Sequence, residues 1–313
     1  MNPLSTGYAS RHSLITFVIN LDRAEDRLHR IRANLDRIGL PFERVSAIDG
    51  QQLVLPIRQF SESRYRLFHG RRPNPAEIGC FLSHIECAER LLASSFQYAL
   101  VIEDDVDVAE DLPELLEAAL HTQHAWDILR LSTVSSGKKH RFHQLTAQRS
   151  LAISLTREKG SGAYLINRDA ARWFVKSLLP MRLPFDLAFD LEFLAGLKSA
   201  FIDPVPICQN TGLPSQIQLV QGKRRSFHLP RWTYATVIPY RLWLEFARIA
   251  LRLVRLVNVS LLGALPVEQK QRETKDRTPA DLAAGDPEVG CESLQVCLSE
   301  RPTDCTRQAI SAQ

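Results

Sequence analysis

Cysteine is scarce in this chain, six residues among 313, and no two form a Cys-X-X-Cys pair. That excludes a disulfide-stapled scaffold and the common zinc-knuckle spacings. Cys80 and Cys87 fall seven apart on a predicted helix, an axial separation of about 10 Å that no disulfide spans, so they read as buried thiols. Cys291, Cys297 and Cys305 sit in a polar tail and gain no role. Long apolar runs are also lacking. Thr16 and Asn20 interrupt the stretch from Leu14 to Leu21, and arginines break the one from Val237 to Leu262. Neither approaches the roughly 18 apolar residues of a spanning helix. The first residues, MNPLSTGYASRHSL, carry no basic start followed by an apolar run, so no signal peptide is expected and the cytoplasm is the expected compartment. An excess of one charge is missing too. Lys and Arg total 39 against 35 Asp and Glu, a net +4 that is too small for a nucleic-acid coat.

The chain is 45% hydrophobic, enough to bury a full core, and it shows no internal repeat. The run from Leu14 to Leu21 is apolar and rich in β-branched residues, which predicts a buried strand. Asp22 and Glu25 look like a capping box for a following helix with Leu28, Ile31, Leu35 and Ile38 on one face, stopped by Gly39 and Pro41. A strand from Phe42 to Ala47 completes a βαβ unit, and such a unit favours a parallel sheet. The basic stretch from Gln51 to Arg72 reads as a loop or excursion. Asn74, Pro75 and Glu77 then start a helix leading to a strand from Tyr98 to Ile102. Further strands are predicted from Trp126 to Leu131 and from Ala163 to Ile166, with helices from Arg168 to Leu178 and from Asp186 to Leu197.

Glu103, Asp104 and Asp105, with Asp107 close behind, follow the apolar strand Tyr98 to Ile102 directly. Ligands of open α/β sheets gather at such strand ends. Adjacent carboxylates repel one another, so a hard divalent cation such as Mg²⁺ or Mn²⁺ is a natural partner; a solvated turn is the alternative. Asp105-Val-Asp107-Val also fits the nucleophile motif of haloacid-dehalogenase-like phosphohydrolases, with Asp105 as nucleophile. That motif normally follows a domain's first strand, whereas here a βαβ unit and another helix come first.

Six short pieces, taken in order, resemble glycosyltransferase family 25, which includes lipooligosaccharide and collagen galactosyltransferases. They are Val18-Ile-Asn20-Leu-Asp22-Arg23 with Arg27, Ala47-Ile-Asp49-Gly50, Glu77-Ile-Gly79-Cys80-Phe-Leu-Ser83-His84, Val101-Ile-Glu103-Asp104-Asp105, Gly162-Ala-Tyr164, and Pro184-Phe-Asp186. Each is weak alone, and their order carries the likeness. The resemblance implies a Rossmann-like α/β domain of GT-A type, a UDP-sugar donor (UDP-galactose by preference), and Mn²⁺ or Mg²⁺ held by a DxD-type motif. Asp105 would contact the metal, with Glu103 sharing the metal site and lying nearer the ribose. Asn20, Asp22 and Arg27, at the first strand-to-helix junction, are assigned with Asp49, Asp104 and Gly162 to the donor site. His84 joins the catalytic candidates. Family members of known outcome imply inversion, which needs one base for the acceptor hydroxyl. Asp186 is preferred, and Asp190 is the alternative one helical turn on.

The expected organisation is an extension over 1–13, a catalytic domain over 14–220, a basic amphipathic helical segment over 221–265 and a disordered tail over 266–313. In the helical segment Arg241, Arg248, Arg252 and Arg255 share a stripe, with Trp232, Tyr240, Trp243, Leu244 and Phe246 nearby. Such a stripe suits an anionic membrane surface, reached through residues 232–262 on the inner face of the cytoplasmic membrane, where a lipid-linked or oligosaccharide acceptor of lipopolysaccharide type would be found. The other reading docks the helix on the catalytic domain with its arginines in water. A non-catalytic membrane-bound scaffold is a third functional class, opposed by the intact acids at Glu103 to Asp105.

Overall fold

The computed structural model describes residues 14–209, 229–230 and 233–264. Strand β1 (Leu14–Asn20) forms on its β-branched run, and helix α1 (Glu25–Arg37) follows, turning Ile31 and Leu35 inward. Asp22 does not cap this helix. Its carboxylate takes Arg44 and Ser46 instead, because the chain between Asn20 and Glu25 turns it toward the neighbouring strand β2 (Glu43–Ser46). β2 pairs parallel with β1, as the βαβ opening requires.

The stretch from Gln51 to Arg72 contains a helix that its composition concealed, α2 (Glu62–His69), which ends on Gly70 in the left-handed conformation. Charges fill its outer face, while Tyr65 and His69 are buried. Helix α3 (Pro75–Ala93) begins as expected, with the Asn74 side chain accepting from the Ala76 N–H at 3.1 Å. Its first turn lies hard against the turn at Gly50, where a Cβ would stand 1.7 Å from the Pro75 carbonyl oxygen, so no other residue fits.

Strand β3 (Tyr98–Glu103) runs parallel to β1, with Glu103 in register with Ile19. Beyond it the sheet continues through β8 (Ala163–Asn167), β5 (Ile128–Arg130), β9 (Ser199–Asp203), β7 (Ser150–Ser154) and β6 (Lys139–Gln144). The order across its eight strands is β2-β1-β3-β8-β5-β9-β7-β6. The first three strands are parallel, as expected. From β8 outward the sheet is mixed, because β8 is antiparallel to both β3 and β5. Neither β6 nor β7 was anticipated from the sequence, nor was the small antiparallel pair of β4 (Val106–Val108) and β10 (Ile207–Gln209).

Alternation along the strands divides the core into two layers. Phe17, Ile19, Val101 and Tyr164 face α3, α5 (Arg168–Trp173, continued by a π-helical turn over Phe174–Leu178) and α6 (Phe185–Ala188, continued by a 3₁₀ stretch over Phe189–Ala195). Val18, Leu100, Ile102 and Leu165 face α1 and α4 (Leu112–His121). This is the expected three-layer α/β arrangement.

Helix α7 (Tyr234–Ala264) is the predicted C-terminal helix, and it corrects the reading of its arginines. Arg248 and Arg252 lie neither on a membrane nor in water. They are buried, 2% and 4% exposed, against carboxylates of the 3₁₀ stretch after α6. The arginine stripe is the docked face of the helix. The chain divides into two compact units between Leu256 and Val257, and only the end of α7 is described in the second. The expected extension over 1–13, the domain end at 220, Trp232 and the tail lie outside the described residues.

Candidate active site

The C-terminal ends of β1 and β3 bring the predicted acids and their partners together. Asn20 donates from Nδ2 to Asp104 Oδ2 at 2.6 Å and accepts from Arg44 Nε at 3.0 Å. Arg27, projecting from α1, donates to Asp104 Oδ1 at 3.1 Å and lies 3.7 Å from Asp105 Oδ2. Asp104 thus ties the first strand-to-helix junction to the acidic strand end. Asp22, exposed, and Asp49, half-buried, sit in local pairs, Asp22 with Arg44 and Asp49 with Arg23 and the Gln51 N–H.

Glu103 faces the other layer. Its Oε1 accepts from Ser161 Oγ at 2.9 Å and lies 3.2 Å from His84 Nε2, which must carry the proton because a carboxylate only accepts. His84 Nδ1 shares a hydrogen bond with the Tyr164 hydroxyl at 2.9 Å, and the ring stacks on Phe185 with centroids 4.1 Å apart. His84 is buried and acts on Glu103, making it a positioning residue. Burial alone would raise the Glu103 carboxyl, but the bond and charge of His84, the bond from Ser161 and the charge of Arg27 outweigh it and hold the pKa below the usual range.

Asp105 has weaker support, from Arg27 and from its own backbone N–H. Its Oδ1 is buried without a hydrogen-bond partner among the described residues. Burial, reinforced by the charges of Glu103 and Asp104, pushes its carboxyl up to about 7. An orphaned hard oxygen among crowded carboxylates fits a divalent cation, with Asp105 and Glu103 as the residues that would hold it. Cys80, His84 and Glu103 also bring one potential ligand atom each within 4.8 Å of one another. Burial holds the Cys80 thiol above its usual range.

Beside Glu103 opens a cleft of about 380 Å³, whose wall includes Gly162 and Asp186 among the expected residues. Gly162 is closely packed, since a Cβ there would meet Val106 at 3.1 Å and Ser132 at 3.3 Å. Asp186 is half-buried, and that burial raises its carboxyl against the opposing charges of Arg130 and Lys159. Four cations that were not assigned to the site, Arg71, Arg157, Lys159 and Arg241, also line the cleft. Sequence reasoning put Arg71 in a loose loop and Arg241 on a membrane stripe, because spacing does not reveal which distant segments meet. His69 lines it as well, its ring nitrogens buried without partners among the described residues. Burial, then Arg71 and Arg241, pull its pKa down to about 3, so the imidazole is neutral.

Asp190 is removed from the catalytic candidates. It is 0% exposed and ion-paired to Arg130 at 2.8 Å, Arg252 at 3.0 Å and Arg248 at 3.2 Å, where no acceptor hydroxyl reaches it. Arg130 also donates to the Gly160 carbonyl oxygen at 2.8 Å, so this buried cluster braces the Gly160-Ser161-Gly162 wall of the cleft.

A layered α/β domain with acids, an asparagine and an arginine at the ends of its parallel strands, beside a cleft with a raised carboxyl, defines a ligand-binding domain of enzyme type. Residues 14–189 match glycosyltransferase family 25 (LPS biosynthesis protein), and the chain belongs to that family. A glycosyltransferase 25 family member of Anopheles gambiae is 38% identical over 96 residues, 29% of this chain and 16% of that one. A putative glycosyltransferase of Haemophilus influenzae is 26% identical over 185 residues, 58% of this chain and 62% of that one. Procollagen galactosyltransferase 1 of Danio rerio is 31% identical over 126 residues, 36% and 20% of the two chains. The chain thus spans less than two thirds of the length of each of these relatives. Family membership rejects the phosphohydrolase reading of Asp105.

Proposed function

We propose that this protein is an inverting, metal-dependent glycosyltransferase that moves a hexose, galactose by preference, from a UDP-sugar to a lipopolysaccharide-type or related glycan acceptor in the cytoplasm. The observation that carries the reading is the orphaned Asp105 oxygen in the Glu103-Asp104-Asp105 strand end, next to a cleft that combines Glu103, Asp186 and four cations. The family's description supports a lipopolysaccharide acceptor, and the name of the zebrafish relative supports galactose.

When bound at Asp105 and Glu103, Mn²⁺ or Mg²⁺ supplies positive charge for a diphosphate leaving group. The chain's own residues do the rest. Asn20, Asp104 and Arg27 hold the nucleotide end at the first strand-to-helix junction. His84 and Ser161 fix the Glu103 carboxylate, and the lining cations offset charge on the donor. Asp186 accepts the acceptor's hydroxyl proton as the new C–O bond forms at the anomeric carbon and the bond to UDP breaks, so no covalent intermediate arises. Asp105→Asn is expected to lower turnover by about a hundredfold or more, as loss of a preorganised electrostatic group does. UDP release in a donor screen with Mn²⁺, then with chelator, checks this. Near-normal turnover of a folded Asp105→Asn protein would remove the assignment.

A further inference from the structure

We propose that the outward face of α7 is a membrane-docking surface that seats, in plane, in the headgroup and upper acyl region of an anionic lipid monolayer. From Ile238 to Val254 no exposed residue of the helix is polar or charged. Leu242, Trp243, Phe246, Ile249, Leu253 and Val254 lead this strip, with Leu242 66% and Phe246 75% exposed. It presents on the order of 10³ Å² of apolar surface, against the few hundred Å² that monomers ordinarily expose. The polarity of the helix is inverted: Arg248 and Arg252 go inward to Asp190 and Glu192, and the hydrocarbon goes out.

Three occupants compete for such a face. The segment over 266–313 contains no Phe, Trp or Tyr and is rich in charge, so its composition offers no matching apolar stripe. A second copy would bring polar complementarity, because protein interfaces carry roughly one hydrogen bond per 100–200 Å². Between Ile238 and Val254 the exposed side chains offer the Trp243 indole N–H, and the partly exposed Glu245 carboxylate is already paired within the chain. Acyl chains ask for no hydrogen bonds, and a tryptophan suits the interface. The rim adds charge complementarity. Arg157 and Arg182 border the strip, Arg182 near enough to act on the Tyr240 hydroxyl. The helix's acid, Glu245, is already held by Arg157 and Arg248, so it sets no uncompensated negative charge against anionic headgroups.

No helix among the described residues is long and apolar enough to cross a membrane, which leaves in-plane seating. Arg241, on the same helix, lines the cleft, so docking brings the cleft toward the lipid surface, where an amphiphilic acceptor is concentrated. This last consequence rests on the proposed transferase activity. The docking itself does not, and its test reads no turnover.

The intact chain is floated with vesicles of phosphatidylcholine alone and of phosphatidylcholine mixed with phosphatidylglycerol. The protein is expected to float with the mixed vesicles and to stay largely bound in high salt, because apolar contact is not screened. The double variant Trp243→Glu, Phe246→Glu is expected to lower the bound fraction about tenfold. Val54→Glu, on an exposed apolar residue elsewhere, serves as control and is expected to bind like wild type. Thermal melts verify that all three proteins are folded. Absence of flotation, flotation unaffected by the double variant, or complete release by salt would overturn the proposal. So would a wild-type dimer in light scattering that the double variant dissociates without any vesicle binding.

Discussion

Asp186 and Asp190 stand one helical turn apart, and their surroundings give them opposite fates. Three arginines enclose Asp190, whereas Asp186 faces the cleft, its carboxyl raised by burial and restrained by Arg130 and Lys159. A base works only when ionised, so turnover is expected to rise with pH as Asp186 loses its proton. The midpoint should lie above the ordinary aspartate value of 3.8. Lys159 lowers this pKa, so Lys159→Ala is expected to move the acidic limb to higher pH. Profiles of kcat against pH for the two proteins check the sign, and an unmoved limb would count against Asp186 as base.

At the scale of elements, α7 is held by buried charge. Asp190 and Glu192 are buried beneath it with Arg130, Arg248 and Arg252, and removing one member strands the others away from water. Asp190→Ala is therefore expected to cost about 3–5 kcal/mol, the range for breaking a buried ion pair. Glu62→Ala, which breaks the exposed pair with Arg66 on α2, is expected to cost about 1 kcal/mol or less. Urea denaturation of the two variants measures the contrast. The same contacts imply that a chain ending before α7 strands Glu192 without its arginine and leaves Asp190 with Arg130 alone, so α7 as far as Leu256 is part of the first unit's fold.

At the scale of the whole molecule, the strand-end site joins β1, β3 and α1, and the cleft adds α3, α6, α7 and the wall formed by Gly160, Ser161 and Gly162. Anything bound there links the two core layers and stabilises the native state alone. Mn²⁺ with UDP at about a hundredfold excess over their dissociation constants is expected to stabilise the protein by about 2.7 kcal/mol. A rise in Tm on adding both, absent in Asp105→Asn, checks this; equal rises in the two proteins would place the metal elsewhere.

Local patterns were legible in the residues themselves. A β-branched run marked β1, an apolar run marked β3, Asn74-Pro75 marked the start of α3, and ordered motifs marked the family, because each depends on neighbours in the chain. The polar strand β6, the helix α2 hidden among arginines, and the true partner of Asp22 were not legible, since pairing with distant segments decides them. The stripe on α7 is the sharpest case. Its period of 3.6 was plain in the sequence, but the sequence did not say which side would be buried. Arginine faces inward there because Asp190 and Glu192, some sixty residues away, wait beneath it, and only the tertiary structure brings those charges together.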